Sequence, residues 1–138
     1  MSPLVSIIVL NYDRRHYTRK CLESVVRSTH RPLEVVLVDN GSTDGSLEEI
    51  PAWQRLLTEH DVGMKCHLNE TNAGAPAGRN QGMRLAEGEY VAWMDNDVLV
   101  RDKDWIDRLR ERLDGDPGLG IVSPKLLFPP PDERIEFA

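Results

Sequence analysis

Apolar positions along the chain fall into two alternating patterns. Residues 4–10 and 33–38 are short runs rich in branched side chains, nearly continuous rather than every-other. Strands buried on both faces read this way. Between them, Cys21, Leu22, Val25 and Val26 recur at helical spacing within residues 17–28. Together these pieces predict a β-α-β unit with a right-handed crossover. Residues 45–60 then carry Ile50, Trp53, Leu56 and Leu57 on one helical side, with Pro51 expected to break the stretch or open a second short helix. A strand is predicted at 64–68. A helix follows at 76–86, turning Met83, Leu85 and Ala86 to the core and stopping at Glu87-Gly88. Further elements are a strand at 90–94, a helix at 103–113 carrying Trp105, Ile106, Leu109 and Leu113, and a strand at 119–122. Phe128 and the three prolines after it do not fit a central strand, and residues 135–138 read as the start of another element. Alternating strand and helix imply an α/β sandwich around a mostly parallel sheet.

The length of 138 residues suits one domain. Seventeen basic residues against twenty-three acidic ones leave a net charge of −6, which argues against nucleic acid as a partner. An anionic small ligand would need a local site or a bound cation. Cys21 and Cys66 have no metal-type spacing and make no disulfide framework. Reduced thiols in a cytoplasmic protein are the expectation, with Cys21 in the core and a peripheral place at a membrane left open. No apolar run approaches the roughly 20 residues that span a bilayer. The run at 4–10 lacks a basic lead-in, so it is not read as a signal peptide, and the N-terminus is expected to be intact. His30, His60 and His67 read as surface or loop residues, and Arg14, Arg15 and His16 carry no specific role.

Ligands of open α/β sheets gather at the carboxyl ends of the strands. Four such ends are polar here: Asn11-Tyr12-Asp13-Arg14, the stretch 39–45, the stretch 69–74, and Asp95-Asn96-Asp97. Asp95 and Asp97 leave one strand a residue apart, where their charges repel unless a cation or donors compensate. Hard divalent ions suit such oxygens and leave room for phosphate. The competing reading is that Asp97 or Asp102 caps the next helix and Asp95 merely ends a strand. In 39–45, Asp39 and Asn40 are expected on the ligand, while Asp44 and the Asn-Gly pair serve the turn and the next helix. Tyr12 either stacks on a base or packs. Leu10 either offers its backbone to that base or is core. Arg79 either clamps a phosphate or base or is a solvated surface arginine. The first strand-to-helix turn has no glycine and no G-K-[ST] follows any glycine loop, so neither a dinucleotide turn nor a P-loop is present.

Four segments, in order, carry a family resemblance: 5–14 (VSIIVLNYDR), 37–46 (LVDNGSTDGS), 72–82 (NAGAPAGRNQG) and 86–97 (AEGEYVAWMDND). The chain resembles glycosyltransferase family 2, whose catalytic domain has a Rossmann-like GT-A fold. The resemblance implies a nucleotide-sugar-binding domain over 1–128, with 129–138 beginning a further segment or a truncated tail. It implies transfer of a sugar from a nucleoside diphosphate sugar to a saccharide, lipid or protein acceptor, with inversion and with Mg²⁺ or Mn²⁺. By position, Tyr12 and Asp39 would contact the nucleoside and Asn40 would read the base. Asp95 and Asn96 would lie against ribose and phosphates, Asp97 would hold the metal, and Arg79 would sit near the base or diphosphate. Asn40 stands where many members have Asp, which leaves thymidine or guanosine donors open, and Asp13 replaces a common Asn. The acceptor half with its catalytic base is expected outside this chain or on a second chain, and Asp132-Glu133 is not assigned as that base. Two other classes compete: a non-catalytic nucleotide-sugar-binding module and, less well matched, a D-x-D phosphatase.

Overall fold

A strand with no polar face has to be covered on both sides, and the two central strands are. The computed structural model describes residues 1–131 and 135–137. Strand β1 (Val5–Asn11) and strand β2 (Leu33–Asp39) are buried along nearly their whole length. Helix α1 (Arg15–Val25) joins them and packs Cys21, Leu22 and Val25 against the sheet. Helix α2 (Ser46–Thr58), β3 (Val62–Leu68), α3 (Ala75–Leu85), β4 (Tyr90–Asp95) and α4 (Trp105–Gly115) follow. The four strands form one parallel sheet in the order β3-β2-β1-β4. The chain thus builds outward from β1 to β3, then returns to the other side of β1 for β4. The gap beyond the carboxyl ends of β1 and β4 is the topological switch point, where such sheets open a crevice.

Several expectations change. Helix α2 runs through Pro51 without interruption. Proline removes only the bond to the Leu47 carbonyl, and burial of Trp53 and Leu57 against the core outweighs it. In α3 the sheet-facing positions are Gly78 and Gly82, while Met83 is exposed. A Cβ at Gly82 would stand 2.5 Å from Ile8 Cγ2, and one at Gly78 2.5 Å from Leu10 Cδ1. The helix lies too close over β1 for larger residues. Residues 119–122 form no strand, and Ile121 is 78% exposed. The run, broken by Gly120 and bounded by Gly118 and Pro124, pairs with no strand among the described residues. Instead β5 (Leu126–Leu127) pairs antiparallel with β6 (Ile135–Phe137), on either side of the expected boundary at 128/129.

His30 lies in the loop between α1 and β2, in keeping with the loop reading, but it is buried rather than at the surface. Its Nδ1 lies 2.7 Å from Asp107 Oδ1 and its Nε2 2.9 Å from the Pro3 carbonyl. Trp105 Nε1 donates to Ser28 Oγ and the Thr29 N–H to the Lys103 carbonyl, so α4 is tied to the α1–β2 connection. Both cysteines are free. Among the described residues no helix is long and apolar enough to cross a membrane.

The amino end of the sheet is closed by a buried carboxylate. Glu34 Oε1 accepts from Ser6 Oγ (2.6 Å) and the Glu87 N–H (2.8 Å), and Lys65 Nζ lies 3.0 Å from Oε2. Desolvation pushes the Glu34 carboxyl upward, but the bonds from Glu87, Ser6 and Lys65 and the Lys65 charge together outweigh it and hold it below the usual value. A lowered carboxyl stabilises the fold above its unfolded value and loses that contribution as pH falls through the folded one. Glu34→Gln is therefore expected to lower stability at pH 7 by about 1–3 kcal/mol and to flatten the loss of stability below pH 4.5. Urea unfolding from pH 7 to pH 3 checks both. Parallel curves for the two proteins would contradict the assignment.

Candidate functional site

The carboxyl end of β1 runs directly into a tight bend. Asp13 (φ 55°) and Arg14 (φ 56°) both occupy the left-handed region, which costs a non-glycine residue roughly 1 kcal/mol or more each. Three bonds from the β2–α2 loop hold the bend. The Asp13 N–H donates to Ser42 Oγ, the Thr43 N–H to Asp13 Oδ1, and the Arg15 N–H to Asp44 Oδ2, each at 2.8 Å. Asp44 also accepts from the Ser46 N–H at 3.0 Å, which makes it the structural residue expected. Gly41 (φ 81°) makes the turn beneath, where a Cβ would meet the Thr71 backbone at 2.9 Å.

Under this bend lies a buried polar web. The Asp39 carboxylate is fully buried and accepts four bonds: from Asn11 Nδ2 (2.6 Å), Ser42 Oγ (2.7 Å), the Ser42 N–H (2.8 Å) and the Gly41 N–H (3.1 Å). Asn40 is buried beside it. Its Nδ2 donates to Asn72 Oδ1 (3.1 Å) and the Gly74 carbonyl (3.2 Å), and its Oδ1 accepts from Asn69 Nδ2 (2.9 Å) and the Ala73 N–H (3.2 Å). Both residues thus lie at the strand end where the sequence places them, engaged in holding loops, and neither lines the open groove.

That groove, of about 400 Å³, opens at the switch point. Leu10, Tyr12, Asp13 and Arg14 line it from the β1 side, and Asp95, Asn96 and Asp97 from the β4 side. Tyr12 is 49% exposed and presents its ring to the opening. Arg79, from α3, reaches Asp95 Oδ1 at 3.0 Å, so it is engaged at the groove edge. Arg14 Nη1 approaches Asp97 Oδ2 at 4.0 Å. Asn96 turns its amide nitrogen inward, 2.9 Å from Thr18 Oγ1 and 3.3 Å from Asn11 Oδ1. Six of the eight residues singled out from sequence therefore meet around one opening, and Asp39 and Asn40 underlie it. Asn11 and Ser42, which lie in the polar strand ends, and Thr18 organise the web, a role the sequence does not assign them. The signal for Asn11 was a polar residue ending an apolar run, opposite Asp39 in the parallel register.

Helix capping does not explain the two aspartates. Helix α4 starts at Trp105 after Asp104, well beyond Asp97. The Asp97 side chain is half-exposed at the groove. Among the described residues no three His, Cys, Asp or Glu side chains cluster to cage a metal. One or two carboxylates with ligand oxygens and water are what a hard divalent ion needs when it bridges phosphates, so this donor set fits such an ion. Cys21 lies beneath, its Sγ 3.7 Å from the Asp95 carbonyl. Burial, with the nearby charges of Asp97 and Asp95, pushes its thiol up to about 12, which disfavours the thiolate.

Comparison with known proteins agrees with this geometry. The profile of Glycosyl transferase family 2 matches residues 6–128. Glycosyltransferase GlyG of Streptococcus pneumoniae is 33% identical over 102 residues, 74% of this chain and 33% of GlyG. The mannosyltransferase PcManGT from Pyrobaculum calidifontis, solved with GDP-Man and Mn²⁺, superposes with a TM-score of 0.79 at 28% identity, covering 87% of this chain and 34% of that one. TarS of S. aureus, solved with UDP-GlcNAc, gives 0.69 at 29% identity over 80% of this chain and 31% of that one. The chain spans 15–41% of the lengths of the curated relatives it matches first. The parallel α/β sheet has the GT-A fold, and the chain belongs to glycosyltransferase family 2.

Proposed function

We propose that this chain is the donor-binding portion of a glycosyltransferase that takes its sugar from a nucleoside diphosphate sugar, with Mg²⁺ or Mn²⁺ held at Asp97. The observation that carries this reading is the half-exposed Asp97 carboxylate facing the same switch-point groove as Tyr12. An acidic protein of net charge −6 repels a diphosphate unless a cation intervenes, and the groove supplies the oxygens for one. PcManGT with GDP-Man and Mn²⁺, and TarS with UDP-GlcNAc, support the ligand class.

In this reading each side chain has a task. Tyr12 offers its ring to the nucleoside, and the Leu10 backbone borders the same end. Asp39 and Asn40 act from beneath, shaping the loops that meet the base. Asp95 and the Asn96 backbone border the ribose and phosphates. Arg79, released from Asp95, meets the base or diphosphate with a rigid fork of donors. A bound divalent ion supplies neutralisation of the diphosphate as it leaves. The carboxylate that takes the acceptor's proton comes from polypeptide outside these residues or from a second chain, and attack opposite the leaving group inverts the anomeric centre.

Calorimetric titration of GDP-mannose and UDP-GlcNAc, with Mn²⁺ and again with chelator, tests the proposal. At least one donor is expected to bind only with Mn²⁺, and Asp97→Ala is expected to abolish that binding. Equal affinity in chelator would refute the metal at Asp97. Arg79→Ala is expected to weaken binding in Mn²⁺ by about ten-fold or more, the scale of a charge-assisted bond to phosphate. An unchanged dissociation constant for that variant would place Arg79 outside the donor site.

A further inference from the structure

The middle residue of Asp95-Asn96-Asp97 borders the groove but turns its side-chain amide inward, beneath it. Asn96 Nδ2 donates to Thr18 Oγ1 (2.9 Å) and Asn11 Oδ1 (3.3 Å). The Thr18 hydroxyl donates in turn, through a short hydrogen bond, to Asn11 Oδ1. Asn11 Nδ2 donates to Asp39 Oδ2 at 2.6 Å. Asn11, Thr18 and Asp39 are all fully buried. Every donor in this chain therefore points toward one buried carboxylate. That polarity decides the orientation of both amides, since a reversed Asn96 would set its oxygen against the Asn11 oxygen. It also raises the cost of breaking any link, because a buried partner is left unsatisfied.

The backbone adds a second constraint. The Val98 N–H donates to the Asp95 carbonyl at 3.3 Å, which closes a turn with Asn96 and Asp97 as its central residues. With the turn closed and the Asn96 side chain held inward, that side chain constrains the direction of Asp97 from outside the groove. We propose that Asn96 acts as a positioning residue through its amide, and that Thr18 and Asn11 beneath it aim the Asp97 carboxylate at the ion. The assignment rests on the metal-dependent reading of the site above. It extends it by naming three residues that tune ion affinity without contacting ion or nucleotide through their side chains.

The test separates ion affinity from nucleotide affinity and from folding. GDP and UDP are titrated into the chain across a range of Mn²⁺ concentrations, and the Mn²⁺ concentration at half-saturation is read for wild type, Thr18→Val, Thr18→Ser and Asn96→Ala. Free Mn²⁺ is followed in parallel by its electron paramagnetic resonance signal. Residues that orient a metal ligand typically change metal affinity by about 10–100-fold when removed. Thr18→Val and Asn96→Ala are expected to raise the half-saturating Mn²⁺ about ten-fold, and for Thr18→Val, which lies outside the groove, the nucleotide dissociation constant at saturating Mn²⁺ is expected within about two-fold of wild type. Thr18→Ser, which keeps the hydroxyl, is expected to restore the wild-type value. Should Thr18→Val fail to fold, Asn96→Ala, in a half-buried turn, carries the same readout. Variants whose Mn²⁺ half-saturation matches wild type, or whose only defect is a lower melting temperature, overturn the positioning role and leave the metal reading standing. Wild-type nucleotide binding indifferent to Mn²⁺ overturns both.

Discussion

Strands β1 and β2 end side by side at Asn11 and Asp39, and both residues are buried. A carboxylate without water has to be surrounded by donors, because a buried unpaired charge costs several kcal/mol. Asp39 gathers its four donors from the two segments that leave the sheet at that point, the Asn11 end of β1 and the turn at Gly41 and Ser42. Satisfying one charge therefore fixes two loops relative to each other. The left-handed backbone at Asp13 and Arg14 persists because the same turn, through Ser42 and Thr43, grips it from the side.

The strand order turns this local constraint into a site. Because β4 joins the sheet beside β1 rather than beyond β3, its terminal Asp95 leaves the sheet next to the braced β1 loop. The crevice is framed by a rigid wall carrying Tyr12 and by a turn carrying two carboxylates. In the proposed site a divalent cation lies between these carboxylates and the charges of the ligand. The glycines of α3 belong to the same design. By letting the helix approach Ile8 and Leu10, they bring Arg79 within reach of Asp95.

Much of this was legible in the residues. Continuous apolar runs identified β1 and β2 because buried parallel strands have no polar face, and helical spacing identified α1 and the packing side of α2. The polar strand ends pointed to the carboxyl edge of the sheet, where the groove opens. The misses share a cause. The places of Met83, of the 119–122 stretch and of the buried loop residue His30 depend on what lies opposite: glycines against the sheet, no pairing strand among the described residues, and an aspartate with a carbonyl. Pro51 was overweighted because one missing hydrogen bond is small beside the burial of Trp53 and Leu57. The roles of Asn11, Thr18 and Ser42 lie in being satisfied by one another and by Asp39, which spacing along a single chain does not reveal.

In the proposed site a divalent ion sits at Asp97 between protein and diphosphate. Paramagnetic broadening of backbone amide signals by Mn²⁺, in the presence of a nucleoside diphosphate, locates the ion directly. The account predicts that signals of Tyr12, Asp13, Asn96, Asp97 and Val98 vanish first, while those around Glu34 and Glu87 at the opposite end of the sheet stay sharp. Broadening centred away from Asp97, or identical with and without the nucleotide, would contradict it.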